Sequence, residues 1–283
     1  AECRYVAMES TGIYWQPIYE MLEPCFDGQI NILVVNARHM KNVPGRKTDM
    51  RDAQWIATLL RAGLLKGSFI PDKTFRELRH LTRYRKSIVR DITAQKNRID
   101  KFLQSSGFRF TAFLSDAFGA SGRNIIRHLM EYGNISREAL DRCLKTQTRK
   151  RIDEILIALN GSLSEHQRGF LRMIFGHLEA LEQHRHTVED AITKEITKHE
   201  EALSLLCSIP GIDVTAAAAI IAEIGTDMSA FPDSQHICSW AGLSPGNNES
   251  AGKRKSAHIN KGNPYLKSMP VSYTHLRAHE TDQ

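Results

Sequence analysis

Apolar and polar positions follow three different rhythms along this chain of 283 residues. Near its start, "CRYVAMEST" and "INILVVNA" are short runs rich in apolar and β-branched residues and bounded by polar or turn residues, the pattern of buried strands in a parallel sheet. Between them "IYWQPIYEMLEP" predicts a crossover helix, with Pro17 in its first turn and Pro24 closing it. A basic loop, "RHMKNVPGRK", then leads into a second helix, "TDMRDAQWIATLL". The order β-α-β-α implies an α/β sheet. A strand is already under way at the first residue, so the sheet is expected to lack strands upstream of Ala1.

From Arg76 to Phe102 the rhythm becomes a heptad, with Leu78, Leu81, Ile88, Ile92, Ile99 and Phe102 on the seam and Arg85 and Gln95 filling its remaining positions. A second seam runs through Leu171, Ile174, Leu178, Leu181, Val188, Ile192 and Leu206. These patterns predict two long coiled-coil-like helices that pack antiparallel on each other or on a second copy of the chain. Residues 107–170, interrupted by "GASGR" and "NGSLSEHQ", predict a helical subdomain between them. After Leu206 comes "SIPGIDVTAAAAIIAEIG", an Ile-Pro-Gly-Ile turn entering an Ala-rich helix. It resembles a helix-hairpin-helix, whose turn amides and helix N-terminus face a phosphate. Asp213 and Val214 stand where that motif commonly has a second glycine, so an ordinary tight turn between helices fits as well. The expected organisation is an α/β region at 1–72, a helical region at 73–206 and a mostly helical C-terminal region at 207–270.

Composition narrows the function classes. Five cysteines (Cys3, Cys25, Cys143, Cys207, Cys238) show no C-x-x-C spacing, which argues against a disulfide framework or a zinc site and for a reducing, cytoplasmic compartment. The most apolar segment, "VTAAAAIIAEIG", is too short to span a bilayer and carries Glu223, so no membrane role is expected. The stretch from Val271 to Thr281, "VSYTHLRAHET", resembles a translated sequencing adapter, and 271–283 is set aside as a non-native tail. Lys and Arg number 38 against 32 Asp and Glu, a modest excess whose distribution matters more than its total. The first long helix concentrates it: Arg76, Arg79, Arg83, Arg85, Lys86, Arg90, Lys96, Arg98 and Lys101 face only Glu77, Asp91 and Asp100. A run of charge is commonly a solvated face, but this imbalance of sign along one rod favours a nucleic-acid-facing helix.

Two stretches carry chemistry. If the helix in "GRKTDMRDAQWIATLL" starts near Thr48, Asp49, Asp52, Ala53, Ile56, Leu60 and Gly63 share one inward stripe, and neither aspartate has a cation at the i+3 or i+4 position. Two adjacent carboxylates facing a core need a tertiary cation or a hard divalent metal. Alternatively, they are first-turn acids favoured by the helix macrodipole and facing solvent. The second stretch, "WAGLSPGNNESAGKRKSAHINKGNPYL", combines backbone-exposing glycines with Ser250 and with Lys253, Arg254, Lys255 and Lys261. A serine there is either a turn residue or a nucleophile whose attack on a phosphate the neighbouring cations stabilise.

Taken in order, "AMESTG", "KTDMRDA", the basic heptads, "SIPGI", "WAGLSP" and "NNESAGKRKSAHINKGNPYL" resemble the insertion-sequence-110 family of transposases and the related Piv/MooV DNA invertases, over residues 4 to 269. The resemblance implies a RuvC-like, ribonuclease-H-type domain with a D-E-D-D metal site, joined by a helical coiled coil to a C-terminal transposase domain with a nucleophilic serine. By motif, Glu9 matches the second acid, Asp49 the third, Asp52 the fourth and Ser250 the serine; the first acid is expected upstream of Ala1. Ala251 stands where the family commonly has glycine directly after the serine. The resemblance further implies Mg²⁺ on Glu9, Asp49 and Asp52, and DNA cut and rejoined through a phosphoserine link. It also implies a non-coding guide RNA pairing with donor and target DNA, and a dimer or tetramer. Arg76, Arg79, Arg83, Lys86, Arg90, Lys253, Arg254, Lys255 and Lys261 are the expected nucleic-acid contacts. The alternatives are a RuvC-like, metal-dependent nuclease that uses water and a non-catalytic nucleic-acid-binding scaffold.

Overall fold

The computed structural model describes residues 4–25, 30–36, 49–244, 248–250, 253–256 and 262–267. Within these, the side chains of Cys25, Asp49, Met50, Arg51 and residues 248–250 and 253–256 lie outside the description. Lys261 and the tail at 271–283 also lie outside the described residues. The chain divides into two compact units, Ala1–Asp72 and Lys73–Gln283.

In the first unit, β1 (Tyr5–Glu9) and β2 (Asn31–Val35) pair in parallel, in register from Tyr5 opposite Asn31 to Glu9 opposite Val35. Helix α1 (Trp15–Cys25) makes the crossover a parallel pair requires, and it runs through Pro24 rather than stopping before it. Val34 and Val35 are fully buried because β2 has neighbours on both sides: β1, and an antiparallel bridge from Val35 to Gly67. The Ser68 amide donates to the Val34 carbonyl at 2.7 Å on that second side. Helix α2 (Asp49–Arg61) packs on β1. Its inward stripe is Asp52, Ile56, Leu59 and Leu60. Ala53 and Gly63, expected on that stripe, are exposed; burying the larger Leu59 sets the phase of the helix.

The second unit is built on α3 (Lys73–Ser105) and α8 (Glu165–Ile196), which run antiparallel. Contacts along their length show it: Phe75 meets His199, Arg85 pairs with Glu189, Gln95 donates to the Ile174 carbonyl at 2.6 Å, and Phe102 meets Phe170. The seam residues Leu78, Ile88, Ile92, Ile99, Leu171, Ile174, Leu178 and Ile192 are buried as the heptads predict. Gln95 is buried among them and tolerated because its amide has a carbonyl to bond. A capping box, Ser164 with Gln167, starts α8.

The second seam ends sooner than expected. Leu206 lies not on α8 but on α9 (Glu200–Cys207), beyond a tight turn at Thr197–His199. One heptad after Ile192 stands His199 rather than an apolar residue, and the single long rod stops there.

Helices α4 (Ala120–Tyr132), α5 (Arg137–Cys143), α6 (Thr146–Arg149) and α7 (Ile152–Ile157) cap the far end of the pair. They form one core in which Phe108, Phe110, Ile125, Ile126, Leu129, Leu140 and Ile155 join Ile99, Leu103 and Leu171. At the opposite end, α10 (Val214–Ile224) lays Ala218, Ile221 and Ala222 against Phe75, Leu78, Ile192 and Ile196. Alanines on that face let the helix axes approach closely. Helix α11 (Ser234–Ala241), a hairpin of β3 (Asn248–Ser250) and β4 (Lys253–Ser256), and a helical turn at 264–267 complete this end.

Candidate functional site

The acids lie in the first unit. Glu9 is the last residue of β1, half-buried, and its Oε1 accepts a hydrogen bond from the Thr11 hydroxyl. Asp52 is half-buried in the first turn of α2, and Asp49 opens that helix. Tyr5, at the start of β1, lines a cavity with Ala57, Leu60 and Arg61 from the end of α2. Carboxylate oxygens are the donors hard divalent ions prefer. Among the described residues no cluster of three or more His, Cys, Asp or Glu converges, and the Asp49 side chain is outside them.

The serine lies in the second unit. β3 and β4 pair antiparallel, with Glu249 opposite Arg254, Ser250 opposite Lys253, and an irregularity between Asn248 and Glu249. Ser250 is therefore the last paired residue before the hairpin tip. In sequence, the "AG" between these short polar runs is only a weak hairpin signal, and the strands are not legible there.

The base of this stretch is closed by contacts that escaped the sequence reading. Glu223, only 1% exposed, ends the Ala-rich face of α10. Its carboxylate accepts from Arg83 Nε and Nη2 at 2.8 and 2.9 Å and from Asn263 Nδ2 at 2.6 Å, and lies 3.1 Å from Arg79 Nε. Arg79 also donates to the Ala222 and Glu223 carbonyls, satisfying the end of α10. Burial pushes the Arg79 guanidinium down to about 10; Glu223 opposes that fall, while Arg83 and Arg76 add to it. It remains cationic at neutral pH, and a buried carboxylate with several charged donors is the tolerable form of buried charge. The Tyr265 ring lies 4.3 Å from the Arg83 guanidinium and 5.1 Å from Lys86 Nζ. In sequence, Glu223 is a lone acid on an otherwise apolar Ala-rich helix, which signals a buried partner as well as barring membrane insertion.

The basic face of α3 is thus divided. Arg79 and Arg83 are engaged with Glu223 and Arg85 with Glu189, Arg76 is buried, and Lys86 lies beside Tyr265. Arg90, Arg98 and Lys101 are exposed. The "SIPGI" turn joins α9 to α10 with Gly211 at φ 88°, a conformation glycine adopts freely, and Asp213 caps α10 by accepting from the Ala216 amide at 2.7 Å. Among the described residues no helix is long and apolar enough to cross a membrane.

Comparison with known proteins reaches both units. Residues 1–107 match the family profile of the DEDD transposase of IS110, and residues 203–278 match that of the transposase IS116/IS110/IS902 family. An insertion element IS110 protein of 43.6 kDa from Streptomyces coelicolor is 28% identical over 239 residues, covering 77% of this chain and 58% of that protein. A candidate transposase, y4qE, from Sinorhizobium fredii is 22% identical over 229 residues, covering 80% of this chain and 46% of that protein. The chain spans about half the length of these curated relatives. With the DEDD profile at its start and the transposase profile of the same name at its end, the chain belongs to the IS110 family of transposases.

Proposed function

We propose that this chain serves a mobile element as a DNA recombinase that cuts and rejoins strands with Ser250 as nucleophile. The observation that carries the reading is the backbone register of the hairpin, in which Ser250 pairs with Lys253 next to the tip, a position from which a hydroxyl can reach a phosphate. The Ser250 Oγ–P bond forms as the phosphodiester's bond to the departing strand breaks, and the hydroxyl proton ends on the departing oxygen. The phosphoester is conserved on the protein, so the reverse step rejoins DNA without ATP. Lys253, Arg254, Lys255 and Lys261 supply positive charge around the pentavalent phosphate.

Glu9, Asp49 and Asp52 would hold a divalent ion, for which Mg²⁺ fits the all-oxygen donor set. Bound there, the ion supplies Lewis-acid polarisation and charge neutralisation. The exposed cations of α3, Arg90 foremost, would track a nucleic-acid backbone. Arg76, Arg79, Arg83 and Lys86 would shape that face from beneath. Guide-RNA pairing, and assembly as a dimer or tetramer that joins acids and serine of different subunits, complete the reading by family resemblance.

The test is trapping. Labelled element-end DNA incubated with the protein and Mg²⁺ should give a DNA–protein adduct resistant to denaturant, absent in Ser250→Ala. Free cleaved ends with a fully active Ser250→Ala would instead establish water-mediated nuclease chemistry. Salt-sensitive binding indifferent to Mg²⁺ and to Asp52→Asn would establish a non-catalytic scaffold.

A further inference from the structure

Two backbone stretches far apart in sequence touch at the base of the serine-bearing segment. A Cβ built on Gly262 would lie 2.1 Å from the Gly242 nitrogen and 2.2 and 2.4 Å from the Ala241 carbonyl carbon and oxygen. No side chain fits there, so Gly262 is required by close packing against the end of α11. The next residue, Asn263, joins two functions: its Nδ2 donates to the buried Glu223, and its Oδ1 accepts from the Tyr265 and Leu266 amides, starting the helical turn at 264–267. Leu266 is buried and lines an apolar cavity of about 330 Å³ with Ala241, Leu243, Ile220 and Ile224. The described residues on either side of the β3–β4 hairpin, Ala241 and Gly242 before it and Gly262 after it, are therefore packed together. Between Ser256 and Gly262 the chain can extend at most about 20 Å, which bounds the hairpin's distance from this contact.

Resting on the serine reading above, we propose that Glu223, Asn263 and Gly262 are positioning residues: a clamp that fixes the base of the serine loop to α3 and α10 and so sets where Ser250 meets DNA. None of them touches the reacting phosphate. The buried carboxylate is the keystone, because it ties α3, through Arg79 and Arg83, by hydrogen bonds to the segment after the hairpin, beside the packing of Tyr265 on Arg83 and Lys86. A sub-ångström loosening of a nucleophile's support suffices to slow a reaction that depends on orientation.

Hydrogen–deuterium exchange and adduct formation, measured together, test this. In Asn263→Ala and in Gly262→Ala, amide exchange across 262–267 should quicken at least tenfold while exchange across 120–132, in the distant cap, stays unchanged. At saturating DNA the adduct should form at least tenfold more slowly, with DNA affinity within twofold of the parent. The double variant Glu223→Gln, Asn263→Asp keeps one carboxylate and one amide in the cluster and should recover most of the rate, which a general loss of stability would not do. Unchanged exchange in both single variants would overturn the clamp. Faster exchange with an unaltered adduct rate would overturn its positioning role. Failure of the serine reading would show separately, as adduct persisting in Ser250→Ala whatever the exchange results.

Discussion

Arg83 holds both oxygens of Glu223, at 2.8 and 2.9 Å, across more than a hundred residues of sequence. Truncating Glu223 leaves two guanidinium groups without their shared carboxylate at a buried junction, whereas truncating Arg83 leaves Glu223 still facing Arg79 and Asn263. Glu223→Ala should lose about 3–5 kcal/mol of stability in urea denaturation, the range for breaking a buried ion pair. Arg83→Ala should lose less, because its side chain is 35% exposed and water relieves part of the penalty.

Exposed and engaged cations of α3 should respond differently to substitution. Arg90→Ala is expected to weaken nucleic-acid binding evenly across sequences and to lower the slope of log K against log salt by about 1, with little change in thermal midpoint. Arg79→Ala should instead lower the midpoint, since its guanidinium caps α10 and faces Glu223. Filter binding across a salt series, paired with thermal unfolding, separates the two.

Removal of divalent ions should abolish adduct formation and leave folding of the helical unit intact, because the proposed ligands all lie before Asp72. Adding excess Mg²⁺ after chelation should restore it. Asp52→Asn is expected to raise the Mg²⁺ concentration for half-maximal adduct at least tenfold. Adduct formed equally well in chelator would remove the metal from the reading.

The N-cap of α11 carries a pH dependence. Asp233 accepts from the His236 ring at 2.8 Å and from the His236 amide at 2.9 Å, and these bonds hold its carboxyl below the usual value of 3.8. A lowered carboxylate pKa means that the unfolded chain takes up the proton first. The cap's contribution is therefore complete above 3.8 and is lost as pH falls through the lower native value. Amide exchange of His236 should accelerate relative to its intrinsic rate below that value, and Asp233→Asn should lack this acid limb.

Periodicity in the sequence made most of this fold legible. The β-α-β-α order and the two long helices follow from apolar spacing, because burial imposes that spacing directly, while the helical subdomain between them is marked by its Gly/Ser breaks. The failures have local causes. Leu206 kept a heptad spacing after the helix had already stopped, since two heptads from Ile192 reach it while the intervening His199 goes uncounted. Ala53 and Leu59 compete for the inward face of α2, and the larger side chain prevails. Of the candidate site, Asp52 stands out in the sequence because a carboxylate on the inward stripe of an apolar helix calls for a partner, whereas Glu9 is singled out by family motif alone. The pairing of Glu223 with Asn263 does not stand out, because it spans 40 residues and is set by tertiary packing rather than by any local pattern.

Among the described residues, the two apolar cores of the helical unit share no fully buried residue and meet only through the half-buried Val188: one gathers around Phe108, Phe110 and Leu129, the other around Phe75, Ile196 and Ile221. What separates them is a pair of helices, the longer of 33 residues and so about 50 Å end to end. Such a pair acts as a ruler. The cap at one end can be reshaped, enlarged or exchanged without altering the end built around Glu223, and adding or deleting whole heptads would change the spacing between the two while leaving both intact.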